Sequence, residues 1–305
     1  MIDVRRLRVL REIAIRGSFS AAAQALHLTQ PAVSRQIAAL EREVGLRLLD
    51  RTSRGPRLTD AGRALVGRSE ALLGQIAAAE AELDAIRGLE HGRLRLAAFP
   101  TAGATIVLDA VSRFRHEHPG VEISFRDSTS RASRRALRAG ELDLALVFDG
   151  GDEEEGAWDG LERRVLLRDV LHVALPEGHP RASRPSVRLR DLADEPWIRG
   201  TQPGAGVIRG ACVAAGFEPR IVAESDHALV IHGLVAAGVG VTLVPQLNAR
   251  NVRPGVVLRP IAPNPPTREV IAAVLAATPR PPAVERMLEI LAELASTFAE
   301  SAPRV

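Results

Sequence analysis

The chain has 305 residues, 46% hydrophobic and 25% charged, with a net charge of +3; this suits two domains with packed cores and excludes an intrinsically disordered chain. No apolar run approaches the ~20 residues that span a bilayer, and Met1 to Arg6 lack an apolar signal core, so a cytoplasmic protein without a membrane partner is expected. The single cysteine, Cys212, excludes an internal disulfide and a cysteine-cluster metal site; it reads as a small buried apolar group, with a reactive thiol as the alternative.

The charge is unevenly placed. Residues 1–58 hold eleven arginines against five acids, residues 59–92 three against six, and residues 93–305 equal numbers. A basic N-terminal segment suits a phosphate-binding surface. Within it, Leu7, Leu10, Ile13 and Ala14 predict a first helix that Gly17 stops. Ser18 or Ser20 caps a second helix, with Ala22, Ala23 and Leu26 inward. His27-Leu28 forms a turn, Thr29 caps a third helix, and Pro31 fits its first turn. Val33, Ile37 and Leu40 then face a core, so Gln30, Pro31, Ser34, Arg35 and Ala38 occupy the opposite face. The start of that face is small and polar, and Gln and Arg make paired hydrogen bonds to base edges. A helix-turn-helix lays the start of its second helix in the major groove. Segments 44–51 and 57–59 read as the strands of a winged hairpin with Arg51 and Arg54 near its tip, where arginines hold phosphates or enter the narrow groove. The alternative is a small helical domain with a solvated basic face.

The run from Gly17 to Leu65, GSFSAAAQALHLTQPAVSRQIAALEREVGLRLLDRTSRGPRLTDAGRAL, resembles the DNA-binding domain of LysR-type transcriptional regulators. The shared order is an SxxAA helix, a TQPAVSxQI helix, an LExxxGxxLxxR wing and an LTxAG helix start. The resemblance implies DNA contacts by Ser20, Thr29, Gln30, Pro31, Ser34 and Arg35, with the wing arginines Arg51 and Arg54 beside them. Leu49 departs from the pattern, since family members often carry an aromatic residue there.

Thr59 caps a long helix, with Asp60 suited to its positive end. Leu65, Ser69, Leu72, Ile76, Ala79, Leu83 and Ile86 form a seam in heptad register. Such a stripe packs either on its own chain or on a second copy. The second reading suits a two-fold operator and matches the helix by which the resembled family dimerises. The residues assigned to dimerisation are Leu65, Leu72, Ile76, Leu83 and Ile86, with a hinge at Gly88 and Gly92.

From Arg93 onward strands and helices alternate. Strands are expected near 93–99, 121–127, 142–148, 161–167, 169–175, 219–224, 239–244 and 268–275. Helices are expected near 103–117, 131–139, 204–215, 227–237 and 283–300. The alternation predicts α/β layers with parallel strands, in two lobes with a cleft. Hydroxyl residues at Thr101, Ser128-Thr129-Ser130 and Thr201 follow strands or precede helices, where anions bind; each alone reads equally as a helix cap. Arg131, Arg134, Arg135 and Arg138 read as a solvated helix face or as an anion-attracting rim, and Asp226 as a cap for the following helix.

The expected organisation is a winged helix-turn-helix over 1–58, a dimerising linker helix and hinge over 59–92, and a two-lobed effector domain over 93–305. Lobe 1 takes 93–167 and 268–302, and lobe 2 takes 168–267. The resemblance implies a periplasmic-binding-protein-like fold for the effector domain. It places effector contacts at Thr101, Thr129, Phe148, Thr201 and Gln202, with Val244-Pro245 at the cleft edge. The expected function is sequence-specific transcriptional regulation under a small anionic effector, by a homodimer or homotetramer that binds double-stranded operator DNA and meets RNA polymerase at promoters. No G-x-S-x-G nucleophile, P-loop or metal-ligand spacing is present, so neither an enzyme, a cofactor nor a metal is expected. A solute-binding protein without regulation, an enzyme on the two-lobed region and a non-specific structural DNA-binding protein are the rivals.

Overall fold

Helix α1 (Val4–Arg16) begins where the Asp3 carboxylate accepts the Arg5 N–H at 2.8 Å and ends at Gly17, whose φ of 67° is a left-handed cap. It belongs to a computed structural model that describes residues 2–52, 55–87, 92–149, 156–201, 206–276 and 280–300. The chain separates into two units, Met1–Glu80 with Arg138–Gly140, and Ala81–Leu137 with Glu141–Val305.

In the first unit, α2 (Phe19–Ala25) and α3 (Gln30–Val44) follow α1, then the antiparallel strands β1 (Leu49–Thr52) and β2 (Gly55–Leu58). Leu7, Leu10, Ile13, Ala22, Ala23, Val33, Ile37 and Leu40 form one core, as the periodicity predicts, with Leu48 added from the turn before the hairpin, Leu26 partly buried against it and Ala14 only half-buried. The Glu41 carboxylate accepts the N–H groups of Leu48 at 2.8 Å and Leu49 at 3.2 Å, so α3 holds the base of the hairpin. The first hairpin strand starts at Leu49 and not at Val44, because α3 runs to Val44 and turns at Gly45, and the second spans Gly55–Leu58 and not 57–59. Thr59 caps α4 (Asp60–Arg87): its hydroxyl accepts the Gly62 N–H at 3.0 Å and donates to the Arg47 carbonyl at 2.7 Å. A Cβ at Gly62 would collide with the Leu48 carbonyl and come within 3.0 Å of Leu58 Cδ2, so only glycine lets α4 start against the wing.

In the second unit, β3 (Gly92–Ala98), α5 (Pro100–Gly103), α6 (Ile106–Glu117), β4 (Val121–Asp127), α7 (Ser130–Arg138) and β5 (Leu144–Phe148) build lobe 1. The long strand β6 (Leu161–Pro176) then crosses into lobe 2, which holds β7 (Pro196–Arg199), α8 (Gly206–Ala214), β8 (Arg220–Glu224), α9 (Ala228–Ala236), β9 (Thr242–Pro245) and β10 (Val256–Pro260). Strand β11 (Thr267–Leu275) returns to lobe 1, and α10 (Pro282–Glu300) packs there.

Among the described residues the main sheet runs β10-β6-β11-β5-β3-β4, with β9 also on β6. Its lobe 1 part has two buried faces: Leu94, Leu96, Leu144 and Leu146 meet α6 and α10 on one side, while Ala97, Ala145 and Val147 meet α7 on the other. The sheet is mixed, not parallel throughout. Strands β3, β4 and β5 are mutually parallel, but β11 runs antiparallel to β5 and β6, and β9 and β10 run antiparallel to β6. The crossing strands must leave one lobe and return, which reverses their direction. For the same reason the two strands expected over 161–175 are one.

Candidate functional site

Helix α3 presents the surface that the sequence singles out. Val33, Ile37 and Leu40 are 0%, 4% and 0% exposed, which turns Gln30, Pro31, Arg35 and Ala38 to solvent, with Ser34 half-buried beside them. Thr29 stands at the N-cap position, yet its side chain makes no capping bond and is exposed. The structure thus corrects its expected role as a side-chain cap: the Thr29 carbonyl, not its hydroxyl, accepts the Ala32 and Val33 N–H groups at 3.0 Å and 3.1 Å. Arg35 takes no hydrogen bond or ion pair among the described residues. Helix α2 is capped by Ser18, whose hydroxyl accepts the Ala21 N–H at 3.0 Å, and leaves Ser20 exposed. Between the helices His27 adopts a positive φ of 52°, which makes the turn tight. An exposed helix start, a small side-chain surface and an unpaired guanidinium meet the demands of a major-groove reader. The side chain of Arg51 and all of Arg54 lie outside the described residues.

The α4 seam is partly uncovered. Leu72 is 47% and Leu83 59% exposed, while Ile76 is half-buried and Leu65 packs against the N-terminal core. Ser69 is buried, with its hydroxyl donating to the Val66 carbonyl at 2.7 Å. The Ile86 side chain lies outside the described residues.

Between the lobes lies a cavity of about 240 Å³, and Thr101, Thr129, Phe148, Val244 and Pro245 are in its lining. Thr129 also caps α7, accepting the Ala132 N–H at 3.2 Å. Ser130 fixes the end of β5 by accepting the Phe148 N–H at 3.1 Å and donating to its carbonyl at 3.3 Å. Thr201 is exposed and outside the lining; its N–H, at 2.7 Å, and its hydroxyl both donate to Asp226, which does line the cavity. Asp226 is therefore not the cap of α9: His227 occupies that position and Asp226 ties down the loop before α8. Gln202 lies outside the described residues. On α7, Arg134 departs from a solvated arginine face, being buried with its guanidinium 5.3 Å from the Trp158 ring centre.

The strongest group in the cavity escapes sequence reasoning. Arg268 is 8% exposed and lies against the edge-to-face rings of Phe99 and Phe148, with its guanidinium carbon 4.9 Å and 4.8 Å from their centres. Its Nη2 donates to the Thr101 hydroxyl at 2.8 Å, and its Nε donates to Asp169 at 3.0 Å. Asp169 is 1% exposed and also accepts the Leu247 N–H at 2.9 Å. Burial pulls the Arg268 pKa below the usual arginine value, and Asp169 opposes that shift. His232, 3% exposed, also lines the cavity and is held below the ordinary histidine range by burial and then by Arg253; its Nδ1 has no partner. Cys212 is fully buried, and burial pushes its thiol up to about 12, which makes it a packing group and no nucleophile at neutral pH. Among the described residues no cluster of His, Cys, Asp and Glu has metal-site geometry, and no helix is long and apolar enough to cross a membrane.

Residues 4–63 match the model of the bacterial regulatory helix-turn-helix proteins of the LysR family, and residues 87–296 match the LysR substrate binding domain. The uncharacterized HTH-type transcriptional regulator YnfL of Escherichia coli K12 is 34% identical over 250 residues, 80% of this chain and 82% of that one. A full-length cysteine variant of OxyR from Pseudomonas aeruginosa shares the fold, with a TM-score of 0.68 at 24% identity, over 97% of this chain and 95% of that one. Full-length CbnR, solved in complex with its target DNA, has a TM-score of 0.58 at 24% identity, over 96% of this chain and 100% of that one. An exposed reading helix, a long linker helix and a two-lobed domain around a cavity thus coincide with both family models, and the chain belongs to the LysR family of DNA-binding transcriptional regulators.

Proposed function

We propose that this regulator reads its operator with Ser20, Thr29, Gln30, Pro31, Ser34 and Arg35, braced by the wing arginines Arg51 and Arg54, and that a small organic anion in the inter-lobe cavity controls that binding. The observation that carries the effector reading is Arg268: a buried cation in the lining of a cavity that Phe99, Phe148, Leu171 and Ile231 also line. That lining suits a carboxylate on an apolar body, with the Thr101 and Thr129 hydroxyls as further partners. An anion that binds one lobe arrangement better than another shifts the population toward it. The linker α4, paired with its copy through Leu72, Ile76 and Leu83, carries the shift to the spacing of reading heads in a homodimer or homotetramer, and so to RNA polymerase at the promoter.

The test starts from duplexes selected by the protein from a randomised pool. Arg35→Ala is expected to lower the preference for selected over scrambled duplex by ~1–3 kcal/mol. Arg54→Ala is expected to weaken binding to both evenly and to flatten the salt dependence. Equal losses on both duplexes for both variants overturn this division. A panel of small carboxylates then shifts operator affinity in the wild type, and Thr101→Val with Thr129→Val blunts that response at unchanged basal affinity.

A further inference from the structure

A second cavity of about 700 Å³ opens on the reverse face of the strands that join the lobes. Arg268 and Val207 line both cavities, whereas Thr267 and Glu269, the neighbours of Arg268 on the alternating strand β11, line only this one. Arg168 stands directly opposite Glu269 in the β6–β11 register and shares this reverse face. The facing wall comes from lobe 2: Arg188 and Arg190, with the apolar side of α8 at Val207, Ala211 and Ala214. Arg168, Arg188 and Arg190 are all exposed, and among the described residues none of the three forms a hydrogen bond or ion pair through its side chain. Arg168 and Glu269 leave each other unpaired despite their register, and Asp149 is the remaining carboxylate of the lining. Arg168 from β6 and Arg188 and Arg190 from lobe 2 thus line one partly apolar groove, and each guanidinium fork offers paired donors to phosphate or carboxylate oxygens.

We infer that this reverse-face groove is a second ligand site, for a small molecule that carries several negative charges on a compact body and bridges the lobes through Arg168 on one side and Arg188 and Arg190 on the other. The site differs from the inter-lobe cavity in its charge, since Arg168, Arg188 and Arg190 line this groove and not that cavity. It also stands independently of any effector in that cavity. A ligand that spans both walls binds different lobe separations unequally, so it couples to whatever occupies the cavity on the other face of the same strands.

The full chain is titrated by calorimetry with pyrophosphate and, separately, with citrate, each against sodium chloride at equal ionic strength. The expected result is saturable one-site binding of at least one probe. The Arg168→Ala/Arg188→Ala/Arg190→Ala variant weakens it at least tenfold, and a charge-matched Arg115→Ala/Arg220→Ala/Arg250→Ala variant changes it less than twofold. Pyrophosphate alone binding marks a phosphorylated ligand, and citrate alone a polycarboxylate; both support the site. Single Arg188→Ala and Arg190→Ala variants, each expected to lose at least threefold, serve if the triple variant does not fold. The inference is overturned if neither probe saturates below 10 mM, if the groove variants bind as the wild type does, or if the control triple loses as much.

Discussion

Replacing Arg268 by Met separates the two roles assigned to it. The Asp169 side chain is 0% exposed and the pair is 2.8 Å apart, at directly opposed positions of β6 and β11. Removing one partner of such a buried pair costs ~3–5 kcal/mol, because the remaining charge is stranded without solvent. Replacing both, as Asp169→Leu with Arg268→Met, removes the stranded charge. It leaves the Leu247 N–H without its acceptor, at ~1–3 kcal/mol. The double variant should therefore be more stable than Arg268→Met alone by ~2 kcal/mol, although it departs further from the natural sequence. The assay is urea unfolding of the full chain followed by tryptophan fluorescence, since Trp158 and Trp197 both lie in the second unit and report on it alone. Both variants should keep basal DNA affinity and lose the anion response. A single variant within ~1 kcal/mol of the wild type, or a double variant no more stable than the single, refutes the assignment of Arg268 and Asp169 as a mutually dependent pair.

Three more outcomes follow from particular side chains. His172 and His232 are both held below the usual histidine value by burial; the unfolded chain takes up their protons first, so stability is full above about pH 6.5 and falls as pH drops toward the folded values. His232→Gln should make the slope of unfolding free energy between pH 7 and pH 5.5 shallower, and an unchanged slope contradicts the role given to its burial. Cys212, with its thiol near 12, is ~10,000-fold in favour of the neutral thiol at pH 8, so the native protein should resist an aromatic disulfide reagent that reacts at once in urea; Cys212→Ala should keep the anion response, and fast native labelling speaks against a packing role. Leu72→Glu with Leu83→Glu places charges on the uncovered seam of α4; sedimentation should show dissociation toward monomer with loss of operator affinity, and an intact oligomer assigns the seam elsewhere.

The N-terminal unit was readable because its information is local. Val33, Ile37 and Leu40 recur at the helical period, Gly17 and Gly45 stop helices by adopting positive φ, and the Gly62 contact with Leu48 lies behind the LTxAG pattern. The Thr29 side chain departs from its expected bond because position does not determine hydroxyl orientation. In the second unit most elements were legible, but not the directions of the crossing strands. The break expected between 167 and 169 is the polar step Arg168-Asp169, which reads as a loop until β11 supplies Arg268 opposite Asp169. That pair lies 99 residues apart in the chain, and no local period reveals it. Strands β7 and β10 are missed for a related reason: β7 is a short segment, four residues long, and β10 ends in proline, so each lacks a run long enough to show alternation. Thr101 was found by its place after a strand, whereas its partner Arg268 was invisible among the many arginines of the chain.

The most direct test of the account is a structure of the full chain bound to its selected operator. The account predicts paired copies of α3 in successive major grooves on one face of the duplex, with Gln30, Ser34 and Arg35 within hydrogen-bond distance of bases or phosphates. An operator complex in which those three side chains face away from the DNA, with the duplex held on another surface, would contradict it.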